Sequence, residues 1–238
     1  MKVDFVISCG AACRPAHYAQ KLCLRKFSSP CDWMMKYSLK HFVEILSTEG
    51  KLMFQHAKYD EVNKWVCDTD TGMISMHDFH HNQPLEDQLP AFYEKMVRRA
   101  KNTTKQISQS RSVGIIMNRK VEKEELIDFA NSMQSLFPNC YFYIVNVNDI
   151  PYQKLLKTEY TVKAEHYTVT EISFDDAHKN GRDKQSNPAF WLGNVRAWNK
   201  LMLNHFHVRG SRCQYITTRL KQKIKRGIEL VCNLFKRA

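Results

Sequence analysis

Val3-Asp-Phe-Val-Ile-Ser-Cys-Gly-Ala-Ala-Cys13 is the stretch on which the fold turns. Its β-branched and aromatic run stops at Gly10, and over residues 11–24 apolar positions recur at helical spacing. The stretch therefore predicts strand, tight turn, helix. Downstream the alternation repeats: an apolar strand over 112–117, a helix over 120–137 with Ile127, Phe129, Ala130, Met133 and Leu136 at helical spacing, and an apolar strand over 140–146. A polar-alternating strand over 167–174 and a short helix over 194–205 complete the pattern. Strands alternating with helices predict an α/β class, with a mostly parallel sheet flanked by helices on both faces. In such sheets the working groups collect at the carboxyl ends of strands, which is where Cys13 stands.

The segment between the first two main strands is less regular. Ser28, Ser29 and Pro30 break the chain, and residues 32–46 predict a second amphipathic helix carrying Trp33, Met34, Tyr37, Leu39, Phe42, Val43 and Leu46. Short strands over 65–67 and 73–76 flank an Asp-Thr-Asp-Thr-Gly turn and lead into His77-Asp-Phe79, and a helix is expected over 89–107. With no internal repeat or low-complexity tract, the organisation read is one domain, residues 1–208, and a tail, 209–238.

The 238 residues are 43% hydrophobic and 25% charged. A chain of that length buries roughly 70% of its unfolded surface, which excludes disorder as the default state. No run approaches the ~20 apolar residues of a membrane span, and the opening residues carry no basic leader, so neither a transmembrane helix nor a signal peptide is expected. Eight cysteines without an export signal read as free thiols in a cytoplasmic protein. No C-x-x-C pair occurs, and no cofactor or structural metal is expected.

The formal charge is +12, of which residues 209–238 supply +8, since nine Lys and Arg stand against Glu229 alone. The rest is near neutral and carries no zinc-finger, RNP or P-loop pattern, so specific nucleic-acid binding is not expected. In the tail Ile216, Leu220, Ile224, Ile228, Val231 and Phe235 recur three or four apart with cations between them, the pattern of an amphipathic cationic helix. It either docks on the domain or lies on an anionic membrane surface, which would place the protein peripherally at the inner face of the membrane.

Cys13 lies where a helix begins, preceded by Gly10, Ala11 and Ala12, small residues that let the backbone turn sharply. The partial positive charge of a helix N-terminus favours a thiolate over a thiol of pKa about 8.5. The N–H groups of residues 11–13 would hold an oxyanion. His77 is the matching base, with Asp32 or Asp78 to orient its ring, and Trp33 and Phe79 as an apolar substrate wall. Each residue alone also has a plain reading: Cys13 as a small buried hydrophobe, His77 as a turn residue, Asp32 as a helix N-cap.

Taken together, Ile7-Ser-Cys-Gly-Ala-Ala-Cys13, Ser29-Pro-Cys-Asp-Trp33 and Asp70-Thr-Gly-Met-Ile-Ser-Met-His-Asp-Phe79 resemble a bacterial and viral family, once a domain of unknown function, classed with papain-like cysteine peptidases. Its pattern is Ser-Leu-Gly-x-x-Cys, then Ser-x-Pro-Phe-Asp-Trp, then a strand ending in His-Asp-Phe. Cys9 and Cys31 depart from it. The likeness extends over most of residues 5–205, including Trp191-Leu-Gly-Asn-Val-Arg-Ala-Trp198. It implies a Cys13 nucleophile and a His77 base acting on a peptide or other acyl substrate. Two further readings stand beside this one. One is an acyltransferase acting on surface polysaccharide or lipid-linked sugar, which would suit the tail. The other is a non-enzymatic metal site from Cys9, Cys13, Cys31, His77, His80 and His81.

Overall fold

Two short strands open the chain, β1 (Lys2–Val3) and β2 (Phe5–Ser8), and every residue of β2 is buried. The computed structural model describes the whole chain except residues 183–186, 212, 219, 221–223 and 225–238. After β2, residues 11–13 bend into α1 (Arg14–Lys21), whose start is stiffened by Pro15, a residue that fits the first helical turn because no N–H is needed there.

The predicted helix over 32–46 is shorter than expected. Met34–Met35 form β3, Lys36 takes a positive φ of 57°, and the helix α2 (Leu39–Ser47) begins only after Ser38, whose side chain accepts the His41 N–H at 3.1 Å. The buried Met34 and Tyr37 produced the helical apolar pattern, but they reach the core from an irregular segment. Strands β4 (Ala57–Asp60), β5 (Trp65–Asp68) and β6 (Ile74–Ser75) then join β3 in a four-stranded antiparallel sheet of order β3-β6-β5-β4. The helix α3 (Leu85–Ser108) starts before the predicted boundary and carries Pro90 inside it. Pro90 is exposed, so the carbonyl it leaves unpaired one turn back can be hydrated.

Five of the remaining elements follow the predicted alternation, β7 (Ser112–Met117), α4 (Lys123–Leu136), β8 (Tyr141–Asp149), β10 (Tyr167–Phe174) and α5 (Val195–His205), while β9 (Lys157–Lys163) and β11 (His207–Val208) were not foreseen. The main sheet has the order β2-β7-β8-β10-β9. Its first four strands run parallel, while β9 is an antiparallel edge strand, so the sheet is mixed rather than purely parallel. A small parallel pair, β1 with β11, ties the start of the chain to the end of α5.

Period-two alternation divides the core into two layers. Phe5, Ile7, Val113, Ile115, Phe142 and Ile144 face one layer with residues of α2, α3 and α4. Val6, Ile116, Val145, Val147 and Ile172 face the other, with Tyr18 and Leu22 at α1 and Trp198, Leu201 and Met202 of α5. Helices thus cover both faces, as expected. The expected amphipathic helix of the tail falls largely outside the described residues. Of those that are described, Ile216, Leu220 and Ile224 are exposed.

Candidate active site

The carboxyl ends of β2 and β7 are neighbours in the sheet, and the chain leaving each one meets the other. Beyond β2, Cys9 N–H still donates to Ile116 O at 2.9 Å. At Gly10 the backbone turns away. A Cβ on Gly10 would lie 2.6 Å from Pro15 and 2.8 Å from Asn118 Oδ1, so only glycine fits between the first turn of α1 and the residue that follows β7.

Beyond β7, Asn118 and Arg119 hold this bend from below. Asn118 Oδ1 accepts the Ala11 N–H at 3.2 Å. Arg119 is buried, and its guanidinium donates to Cys9 O at 2.7 Å, Tyr37 O at 2.6 Å and Gly10 O at 3.2 Å while lying 4.4 Å from the Tyr37 ring centre. Among the described residues it has no carboxylate partner. The cation is instead neutralised by carbonyl dipoles and the aromatic face, a costly burial that repays itself in a fixed loop. Asn146 of β8 holds Arg119 in turn, accepting its N–H and donating to its carbonyl, both at 3.0 Å.

Cys13 caps α1 and is half-buried. Its Sγ lies 3.9 Å from Trp33 O, within reach of a thiol donating a weak hydrogen bond. Burial pushes the Cys13 thiol above its ordinary range, against a smaller pull from its own backbone N–H. The expected helix-end lowering is therefore outweighed by desolvation. The Cys13 N–H is set against its own sulfur and the Ala11 N–H is taken by Asn118, which narrows the expected oxyanion-binding set.

Trp33 reaches Cys13 through its carbonyl and His77 through its ring. The Trp33 and His77 rings stand edge to face, their centroids 6.2 Å apart at 88°. His77 is exposed on the bend after β6. Neither predicted carboxylate is paired with it. Asp32 is buried and saturated: Oδ1 accepts from Ser8 Oγ at 2.7 Å, and Oδ2 accepts from Ser29 N–H at 3.0 Å and from the Arg25 guanidinium. Burial pushes the Asp32 carboxyl up, opposed chiefly by Arg25 and then by Ser8 and Ser29. Asp78 accepts from Ser75 Oγ and Lys95 Nζ, each at 2.6 Å. The two carboxylates thus anchor the loops that present Trp33 and His77, and the imidazole itself is turned to neither.

Phe79, expected as a substrate wall, is buried and packs against Phe92 at 4.7 Å and Phe54 at 6.5 Å. It belongs to the core. Cys9 and Cys31 are buried thiols, Cys9 pushed up to about 11 by burial and Cys31 raised well above its ordinary range by burial too. His81 Nδ1 lies 2.5 Å from Tyr59 Oη, and Gln88 bridges the backbone of His80. Among the described residues no three His, Cys, Asp or Glu side chains gather in a metal-ligating arrangement.

Arg14 and Asp176, which the sequence motifs did not single out, join the Trp191–Trp198 run in closing the other side of α1. Arg14 is paired with Asp176, which follows β10, and its Nε donates to Trp191 O at 2.7 Å. Asp176 also accepts from Trp198 Nε1 at 2.8 Å and Asn194 N–H at 3.0 Å. Gly193, at φ +60°, is where the chain passes so close to Arg14 and Asp176 that no side chain fits. Trp191 itself meets His17, one turn along α1 from Cys13, with ring centroids 5.0 Å apart. No helix among the described residues is long and apolar enough to cross a membrane.

Neither a curated protein nor a solved structure matches the chain. One family model does, over residues 4–149, a shorter extent than the expected reach into Trp191–Trp198. The matched span contains β2, the Gly10 bend, Cys13, Trp33 and His77, and its description is "Putative papain-like cysteine peptidase (DUF1796)". With more than half of its length covered, the chain belongs to that family.

Proposed function

We propose that the protein is a cysteine-dependent acyl hydrolase in which Cys13 is the nucleophile and His77 the base. The observation that carries this reading is Trp33, a single residue in contact with the thiol through its carbonyl and with the imidazole through its ring. Because burial holds Cys13 as a neutral thiol, attack couples sulfur–carbon bond formation to transfer of the thiol proton to His77. The developing oxyanion takes hydrogen bonds from the backbone N–H groups at the start of α1, and His77 then returns the proton to the leaving group. Water, deprotonated by the same imidazole, releases the acyl group from Cys13. Asp32, Asp78 and Arg119 act by holding the three loops.

The test is hydrolysis of a mixed panel of acyl-peptide amides and thioesters by wild type, Cys13→Ala and His77→Ala proteins. Turnover present in wild type and lost in both variants supports the assignment. Turnover that survives Cys13→Ala removes it.

A further inference from the structure

We propose that Asn118 supplies a side-chain donor to the oxyanion, in addition to holding the loop that carries the nucleophile. The inference deepens the reading of Cys13 as an acyl-transfer nucleophile and rests on it.

Asn118 is the first residue after β7, half-buried, at the carboxyl end of the strand adjacent to β2. Its Oδ1 accepts the Ala11 N–H at 3.2 Å, which settles which end of the amide is oxygen and which is nitrogen. Gly10 lacks the Cβ that would sit 2.8 Å from the same oxygen, so the close approach of Asn118 to the bend is built into the sequence at two positions. The amide nitrogen, about 2 Å from its oxygen by covalent geometry, makes no hydrogen bond to protein among the described residues. A half-buried amide with its acceptor engaged by the backbone two positions before Cys13, and with both N–H bonds unspent, fits a further donor beside the backbone N–H groups of the bend. The bend loses Ala11 as a donor because Asn118 takes it, and regains one from the same side chain.

In the step concerned, the Cys13 sulfur bonds to the carbonyl carbon, the carbonyl π pair moves onto oxygen, and that oxygen accepts hydrogen bonds from the Asn118 amide and the backbone N–H groups. The pair returns as the bond to the leaving group breaks. Alkylation of the same sulfur by iodoacetamide displaces iodide and builds no such oxyanion. The ratio of the two rates therefore isolates oxyanion stabilisation from thiolate supply.

The experiment measures acetylation of Cys13 by p-nitrophenyl acetate and its alkylation by iodoacetamide, each located by peptide mass, in wild type, Asn118→Asp and Asn118→Ala. Asp keeps an acceptor for the Ala11 N–H and removes the donor; the thermal melt of each variant establishes that it is folded. We expect the acetylation-to-alkylation ratio to fall at least tenfold in both variants, within reach of the roughly 10²–10³ effect of one lost oxyanion donor. A wild-type ratio in Asn118→Asp overturns the donor role, because a residue that only holds the loop is replaced by Asp without loss. Absence of acetylation at Cys13 in the wild type overturns the parent reading, and the donor role with it.

Discussion

At the residue scale, the decisive contest is between the helix end and burial at Cys13, and burial wins. The sign has a direct consequence. With its pKa above the ordinary thiol range, Cys13 holds little thiolate at neutral pH, and its alkylation by iodoacetamide in the unliganded protein should keep accelerating through and beyond about pH 8.5. Rate against pH, read on the Cys13 peptide, checks this, and a plateau below that value contradicts it. Asp32 makes a different prediction. Its oxygens are committed to Ser8, Ser29 and Arg25, so Asp32→Asn leaves a half-buried guanidinium without its counter-charge and should cost about 1–3 kcal/mol in denaturant unfolding. An Asp32 that served only to orient an imidazole would leave stability near wild type. The sequence made Asp32 a candidate because an acid stands between a proline and a tryptophan; its three partners come from positions 8, 25 and 29, which no local pattern reports.

At the scale of elements, the two strands most clearly legible in sequence, β7 and β10, occupy the residues predicted for them. Both lie inside the main sheet and bury most of their length, β7 writing a near-continuous apolar run and β10 an alternation of apolar and polar residues rich in β-branched and aromatic types. Strands β4 and β9 were illegible for the opposite reason. Each is an edge strand, of sequence Ala-Lys-Tyr-Asp and Lys-Thr-Glu-Tyr-Thr-Val-Lys, and charge on an edge protects it from further pairing while erasing the apolar signal. The bend between β2 and α1 is the element on which the site depends. Gly10→Ala should force Pro15 and Asn118 apart, with a loss of about 1–3 kcal/mol in thermal or chemical unfolding. An unchanged melt would mean that the bend accommodates a methyl group and that glycine there is incidental. In the tail, the exposed Ile216, Leu220 and Ile224 carry an expectation of their own: replacing each singly with Asn should change stability by no more than about 0.5 kcal/mol. A loss of 2 kcal/mol or more, on the order of burying such a side chain, would show the helix docked on the domain through that residue.

At the scale of the molecule, the sheet order explains why the candidate site needs most of the chain. Adjacent carboxyl ends of β2 and β7 bring the Cys9–Ala11 bend, just before Cys13, against Asn118 and Arg119, although more than a hundred residues separate them in sequence. The antiparallel sheet delivers His77 to the ring of Trp33. From beyond the family match, Asp176 and Trp191 grip Arg14 and close the far side of α1. Cys13, Trp33 and His77 were visible in the sequence because the chemistry of thiol and imidazole is tied to residue type. Asn118 and Arg119 were not, since an Asn-Arg pair after a strand is ordinary until the neighbouring strand's exit loop is known to lie on it. Arg119→Met would leave the Cys9, Gly10 and Tyr37 carbonyls without their common donor. At about 1–3 kcal/mol for a buried group left unsatisfied, the expected loss in unfolding free energy is at least that of one such group.

The most direct measurement of the central claim is the pre-steady-state reaction of the protein with p-nitrophenyl acetate, comparing wild type with His77→Ala and identifying the acetylated peptide by mass. The account predicts a stoichiometric burst of p-nitrophenolate with the acetyl group on Cys13, slowed by about 10²-fold or more when His77 is removed. A burst that leaves Cys13 unmodified, or one that proceeds at the wild-type rate without His77, would contradict it.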